Sequence, residues 1–383
     1  MKKRISSILI PPLLAIATFI GCSSAPVRKE PHVFFPSAPE LPRIQYLTSF
    51  AGTKDVEAAQ SSFNKFVAGE KENLRLDKPY GVAIYDGKIY ACDTNKTVVI
   101  FDLKNKEFHV LEAALRGPGQ LTEPLNISID ADGTKYVSDP ARSQVVVFDK
   151  NDQYVKAYGE PGTWRPVDAI SFEGRLYVAD MNAANIKVFD KSSGQVIKTI
   201  GDQGEPVEKL SRPSNLAFGP DGYLYVTDVG RFQIIKYDRD GHYKTAIGKP
   251  GDNLGHFARP KGIAIDRAGQ LFVVDAAFNN VQVFNKDGRL LMFFGTPGTD
   301  PGQFMLPAKV VVDYNNIRYF QKYADPNFTI DYLVLVTSQL EKRSISVLAY
   351  GREKDKKYPT DAELMKQIEA KKKQTQEKEA KPN

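Results

Sequence analysis

From residue 44 onward the chain alternates short apolar runs with turns rich in Gly, Asp and Asn, and the runs come in fours. Pro79, Pro124, Pro166, Pro213, Pro260 and Pro307 recur at intervals of 45, 42, 47, 47 and 47 residues. Each opens an apolar run such as Gly262-Ile263-Ala264-Ile265-Asp266. A second run ends in Asp, as in Tyr177-Val178-Ala179-Asp180 and Tyr225-Val226-Thr227-Asp228. A third follows, as in Ile186-Lys187-Val188-Phe189-Asp190, and the fourth closes on Gly201, Gly248 or Gly295. Runs of ~4–8 β-branched and aromatic residues bounded by such turns are strands. Four strands per repeat make one blade of a propeller. The pattern predicts an all-β, six-bladed β-propeller over residues 44–351.

The sixth repeat is irregular. Val310-Val311-Val312-Asp313, Leu333-Val334-Leu335-Val336-Thr337 and Ile345-Ser346-Val347-Leu348 supply three strands, and after Gly351 the chain turns highly charged. Ile44-Gln45-Tyr46-Leu47-Thr48-Ser49-Phe50-Ala51-Gly52 reads like the missing fourth strand, so the N-terminal strand is expected to close the last blade. Closure removes the edges that an open ring would expose.

The repeats resemble NHL repeats, whose pattern runs Pro-x-Gly-Ile-Ala-Ile-Asp, then Leu-Tyr-Val-Ala-Asp, then Val-x-Val-Phe. The resemblance implies fold more than chemistry, because such propellers include lyases, lactonases, sensors and pure binding modules.

Outside the repeats, Lys2-Lys3-Arg4 precedes an apolar stretch from Ile5 to Ile20 that Pro11-Pro12 interrupts. It reads as an export signal over residues 1–21. Gly21-Cys22-Ser23-Ser24 resembles the lipobox of bacterial lipoproteins, which implies a lipid-bearing Cys22 as the mature N-terminus. Ser23 resembles the pattern sorted to the outer membrane in Gram-negative cells. The implied address is the cell envelope, with the membrane reached through a lipid anchor. Residues 22–43 carry five prolines and read as an extended tether without helix or sheet. Residues 53–77, with Phe63, Phe66 and Val67 at helical spacing, suggest a short helix. Residues 314–332 hold six aromatics, which serve either as a docking surface or as packing on their own blade. Residues 352–383 form a charged tail, disordered or partly helical.

The formal charge of +6 sits at the termini. Residues 5–351 hold 39 basic and 39 acidic side chains, so the body lacks the broad positive footprint of a nucleic-acid binder. Two cysteines exclude a disulfide framework, and Cys92 reads as a buried, inert thiol. Four histidines, scattered over tether, outer strands and one loop, do not build a zinc site. No Gly-x-Ser-x-Gly, P-loop or Cys-x-x-Cys-His motif occurs.

Three groups of residues carry candidate chemistry. The second residue after each repeat proline should approach the channel, and Asn126, Asp168 and Asn215 come from consecutive repeats. They offer hard oxygen ligands suited to Ca²⁺, an arrangement that resembles the channel metal of paraoxonase and gluconolactonase propellers. Gly81, Gly262 and Lys309 occupy the other three points. Alternatively, such Asn and Asp side chains bond nearby backbone. The second-strand Asp93, Asp139, Asp180, Asp228 and Asp275, one per repeat at a fixed position, argue for a structural task. Lastly, Lys78, Arg165, Arg212 and Arg259 precede repeat prolines, while Arg142, Arg231, Trp164, Phe232, Phe257 and Phe278 lie in the same loops. Arg with aromatics is the composition of a protein-binding patch; the other reading pairs each Arg with the blade Asp nearby. The expected function is a non-catalytic scaffold, a monomeric ring that binds an envelope protein. A Ca²⁺-dependent hydrolase or lyase and a small-ligand sensor are the alternatives.

Overall fold

The computed structural model describes residues 32–58, 73–95, 97–340, 342–360, 362–367 and 370. Five four-stranded antiparallel sheets follow the chain in order, formed by residues 79–110, 126–158, 166–200, 213–247 and 260–294. These are blades 1 to 5, each wound from an inner first strand to an outer fourth strand. Blade 6 combines Pro307–Asp313, Phe328–Ser338 and Ile345–Glu353 with the N-terminal strand Ile44–Phe50. That strand runs antiparallel to Ile345–Glu353, with Ile44 opposite Tyr350 and Phe50 opposite Ile345. The ring is therefore closed between the two ends of the chain, as the sequence pattern anticipates.

Burial along the strands follows from the stacking. The third strand of blade 1, Val98–Asp102, and both middle strands of blade 5 are buried at every position. The outer strand Val196–Ile200 of blade 3 is half open to water. Middle strands are pressed between neighbouring sheets on both faces, whereas outer strands lie on the rim. The core is accordingly divided into six apolar clusters, one between each pair of adjacent blades. Leu47 and Phe50 of the closing strand sit in the cluster that joins blades 6 and 1.

One packing device recurs where each outer strand leads into the next blade. Gly159, Gly201, Gly248 and Gly295 end their outer strands at φ of 90°, 87°, 80° and 85°. A Cβ on Gly248 would lie 2.2 Å from the Phe257 ring, and one on Gly159 would lie 2.2 Å from the Trp164 indole nitrogen. Only glycine permits both the left-handed backbone and the approaching side chain. Trp164, Leu210, Phe257 and Phe304, two or three places before the next repeat proline, fill this seat, and Leu76 and Leu121 at the same offset in the first two repeats are buried as well.

Two expectations change. Residues 22–43 were expected to stay out of any sheet, but Phe34–Phe35 pairs with Ile44–Gln45 and adds a fifth strand to blade 6. The aromatic rings supply the reason, since Phe34 packs 5.6 Å from Phe328 and Phe35 6.2 Å from Phe294. The aromatic insertion folds inward through two short 3₁₀ turns, Ile317–Tyr319 and Gln321–Tyr323. Phe320 meets Phe50 edge-on, and Tyr332 stacks on Tyr350 at 4.7 Å, so the insertion packs on its own blade. Cys22, the export segment and the helical spacing around Phe63 and Phe66 lie outside the described residues.

Removing Ile44–Phe50 tests the closure. The deletion withdraws the buried Ile44, Leu47 and Phe50 side chains, each stabilising by about 1.5–3 kcal/mol, against a total of ~5–15 kcal/mol. The expected result is loss of the cooperative thermal transition; an unchanged melting temperature refutes the closure.

Candidate functional site

The loops at the end where inner strands begin are fixed, in blades 1 to 5, by one buried carboxylate each. Asp228 accepts hydrogen bonds from the backbone N–H of Ser211 (2.6 Å), Arg212 (3.0 Å), Gly230 (3.0 Å) and Arg231 (3.1 Å). Asp275 does the same for Ala258, Arg259 and Ala277 at 2.9, 3.1 and 2.9 Å. Asp93, Asp139 and Asp180 repeat the pattern. Each carboxylate ties the entry to the inner strand to the turn after the second strand, which is the structural task expected of these residues. Asp180 also takes the Lys187 ammonium at 2.7 Å, and its acid is held below the usual carboxylate range by hydrogen bonds that outweigh burial.

The mouth cations separate into two sets. Arg142 donates to the carbonyls of Pro118 and Gln120, and Arg231 to those of Val207 (2.8 Å) and Lys209 (2.7 Å). Both staple their own loops. Lys78, Arg165, Arg212 and Arg259 behave differently. Their backbone N–H groups are bound by the blade aspartates, yet their side chains are exposed. Among the described residues none gives these four side chains a hydrogen bond or ion pair, so the pairing with Asp228 or Asp275 does not occur through the guanidinium groups.

The aromatic half of the expected patch is corrected. Trp164 and Phe257 are the buried plugs against Gly159 and Gly248 and cannot meet a partner. Phe232 occupies a left-handed turn position at φ 57° and packs, half-buried, against the core between blades 4 and 5. The signal for this was present: an apolar residue recurs two or three places before every repeat proline, a period that marks core rather than contact.

The second residues after the repeat prolines form one layer of the channel. Lys309 of blade 6 reaches Asp168 of blade 3, the blade on the opposite side of the ring, with Nζ 2.9 Å from Oδ2. Asp168 is wholly buried, and its Oδ2 also accepts the Leu216 N–H at 3.0 Å while Oδ1 accepts that of Ala169 at 3.1 Å. Gly81 and Gly262 flank Lys309, where a Cβ would meet the Cα of Asn126 at 2.6 Å and of Lys309 at 2.5 Å respectively. Asn126 and Asn215 flank Asp168. Asn126 Nδ2 donates to the Val167 carbonyl at 2.7 Å, whereas Oδ1 of both asparagines accepts no protein hydrogen bond.

Asn126, Asp168 and Asn215 are thus brought together as the sequence suggests, but around an ammonium group. A divalent cation does not fit this layer, because Asp168 spends both oxygens on Lys309 and backbone amides and the positive charge is already in place. Among the described residues one other set, Asp238, Asp240 and His242, has metal-ligand spacing. It lies on an exposed turn of blade 4, where Asp238 is occupied by Lys244 at 2.9 Å. Cys92 is buried, and burial pushes its thiol well up, keeping it protonated.

Along the inner strands from this ion pair lies a cavity of about 540 Å³, walled by small and aliphatic residues including Ala83, Ser128, Ile170, Ala217, Ala264 and Val311. A larger rim groove of about 1240 Å³ separates the outer strand of blade 5 from residues 36–43 and 357–367, and Leu254, Leu290, Phe293 and Leu364 line it.

No family model matches the chain. It is 25% identical to the Drosophila melanogaster protein brain tumor over 149 residues, covering 38% of this chain and 14% of that protein. It is 34% identical to antigen Lp49 of Leptospira interrogans over 80 residues, covering 21% and 16%. The chain thus spans under a fifth of the length of these two relatives. Among solved structures, a Bacteroides thetaiotaomicron protein of unknown function superposes with a TM-score of 0.55 at 15% identity, covering 80% of this chain and 75% of that one. An auxiliary nutrient-binding protein from the same organism gives 0.53 at 14%, covering 72% and 69%, and a streptogramin B lyase 0.51 at 16%, covering 73% and 96%. At these identities the likeness is one of fold. The protein is a six-bladed β-propeller.

Lys309→Met tests the cross-channel pair. Leaving Asp168 buried without its cation should cost about 3–5 kcal/mol in chemical denaturation. Lys309→Met with Asp168→Leu should recover most of the loss. Equal destabilisation by both variants shows that the pair contributes no coupling.

Proposed function

We propose that the chain is a non-catalytic binding scaffold, exported and held at the cell envelope by lipid on Cys22, whose cationic channel mouth takes an acidic segment of a protein partner. One observation carries the reading. Lys78, Arg165, Arg212 and Arg259 stand at the same strand-entry position on four blades, exposed and without side-chain partners among the described residues, on backbone that buried aspartates hold rigid. Fixed, unpaired charges of one sign on a neutral body attract and orient a group of the opposite sign. They add little to the stability of the fold. The similarity to an auxiliary nutrient-binding protein is compatible with a binding role.

The export half rests on Lys2-Lys3-Arg4, the apolar stretch behind it and the Gly21-Cys22-Ser23 sequence. The described chain joins the ring at the outer edge of blade 6, through Phe34–Phe35, which leaves the centre of the ring to the mouth residues. A metal-dependent hydrolase is disfavoured by the Lys309 ammonium on Asp168. The small-ligand reading keeps one observation in its favour, the 540 Å³ channel cavity, which falls within the ~300–1,000 Å³ of small-molecule sites.

Arg212→Glu combined with Arg259→Glu should abolish binding of an acidic peptide while shifting the melting temperature by no more than a few degrees. A large stability loss with unchanged binding makes these residues architecture. Separately, Cys22→Ala should move the protein from the membrane pellet to the soluble fraction; a variant that stays in the pellet, with neither form labelled by palmitate, overturns the anchor.

A further inference from the structure

Three lysines are buried among the described residues: Lys135, Lys261 and Lys309. Burying an ammonium is costly unless a carboxylate accompanies it. Lys135 has Asp152 at 2.7 Å, with the carbonyls of Asp149 and Gly133 at 2.8 and 3.1 Å. Lys309 has Asp168 at 2.9 Å. Lys261 has no carboxylate partner among the described residues. It follows Pro260 at the start of the inner strand of blade 5, is 8% exposed, and reaches across the mouth of blade 6. There its ammonium donates to the Gln339 side-chain oxygen at 3.0 Å and lies 5.2 Å from the Tyr80 ring of blade 1. One amide oxygen and one aromatic face are weak compensation for a desolvated charge. The charges that act on it are also wrong for a resting ion pair, because they are those of the cations Arg259 and Lys78. A fold selected only for stability would place Met or Leu at this position.

We infer that Lys261 is the buried half of a carboxylate subsite at the channel mouth, completed by a Glu or Asp side chain of an acidic partner segment lying across Lys78 and Arg259. The inference rests on the reading of the mouth as an acidic-partner site and names the group on which that partner is anchored. Exposed Arg212 and Arg259 attract the segment from solution, and Lys261 supplies the desolvated contact on which specificity depends. A hydrogen-bonded charge pair out of water is lost at higher cost than a rim pair.

The surroundings give the contact a pH dependence. Burial, reinforced by the charges of Arg259 and Lys78, pushes the Lys261 amine down to about 8 from an ordinary 10.5. Tyr80 faces it from blade 1, and its hydroxyl is pushed up by burial and then by the charge of Asp168, so it stays neutral. Gln339, from blade 6, does not titrate. Lys309 and Asp168, one residue further along the inner strands, are paired with each other. Below the free-state value Lys261 is charged and ready for a carboxylate; above it, binding must first take up a proton. Affinity is therefore level below about pH 8 and falls as pH rises beyond it. For the unliganded protein the sign is reversed. The unfolded chain holds the Lys261 proton up to about pH 10.5 and the folded one only to about pH 8, so this group's cost to stability is full below pH 8 and fades above it.

The experiment is calorimetric titration of the full-length chain with a hexaglutamate peptide at pH 7 and pH 9.5, beside hexaglutamine and inorganic phosphate. Wild-type protein should bind hexaglutamate at pH 7, at least tenfold more weakly at pH 9.5, and with proton uptake between. Lys261→Met should weaken binding at pH 7 at least tenfold, remove the proton uptake and raise the melting temperature. If Lys261→Met melts earlier and binds as wild type does, the lysine is architecture and the subsite is wrong. If Arg212→Glu with Arg259→Glu abolishes binding while Lys261→Met leaves it intact, the mouth still takes an acidic segment but Lys261 does not anchor it. If wild-type protein binds no hexaglutamate, the acidic-partner reading itself fails. Phosphate displacing the peptide at equal concentration overturns the carboxylate assignment.

Discussion

Each blade of this ring has two apolar faces, and a sheet with two apolar faces must be covered on both sides. A row of such sheets cannot end without exposing one of them. The ring meets this constraint by making the last sheet from both ends of the chain, so that Ile44–Phe50 lies beside Ile345–Glu353 and its Leu47 and Phe50 press on blade 1. The remaining features follow. The core is split between blades, the middle strands are largely buried, and the inner strands converge on a channel whose first layer must be filled or bridged.

That bridge is an ion pair rather than packed methyl groups. Lys309 needs length to cross to Asp168, and the two neighbouring positions, Gly81 and Gly262, carry no side chain, where a Cβ would strike the adjacent inner strand. The carboxylate is satisfied by two backbone amides as well as by the ammonium. The same division of labour runs through the mouth. Buried aspartates hold the loops by their backbone, which frees the side chains of Lys78, Arg165, Arg212 and Arg259 from structural duty. Two other arginines, Arg142 and Arg231, have the same composition and a different task, since carbonyl oxygens of the preceding loops occupy their guanidinium groups.

The contrast among the buried lysines links architecture to function. Lys135 and Lys309 are neutralised by aspartates and read as parts of the frame. Lys261, held among the described residues only by Gln339 and an aromatic face, is a cost that these contacts offset weakly. The proposed acidic ligand would offset that cost, and Lys78 and Arg259 beside it carry the charge that would attract one.

The sequence by itself determined the repeat, the strand order within each blade, the closing strand and the structural role of the blade aspartates. All of these depend on local periodicity: apolar alternation, proline at strand entry, Asp at strand end and Gly at turns. It also brought Asn126, Asp168 and Asn215 to one layer, because equal offsets from equivalent prolines give equal depth in the ring. Only the tertiary structure decided what those positions do. Lys309 and Asp168 are 141 residues apart and meet because blades 3 and 6 are opposite, a relation that periodicity does not encode. Trp164 and Phe257 resemble contact residues in the chain but become plugs once the glycine of the preceding strand is seen beneath them. Phe34–Phe35, in a proline-rich stretch, becomes a strand because Phe328 and Phe294 wait at the blade edge. Whether a charge is free or occupied depends on which carbonyl or carboxylate the fold carries to it, and that is settled by packing across the ring.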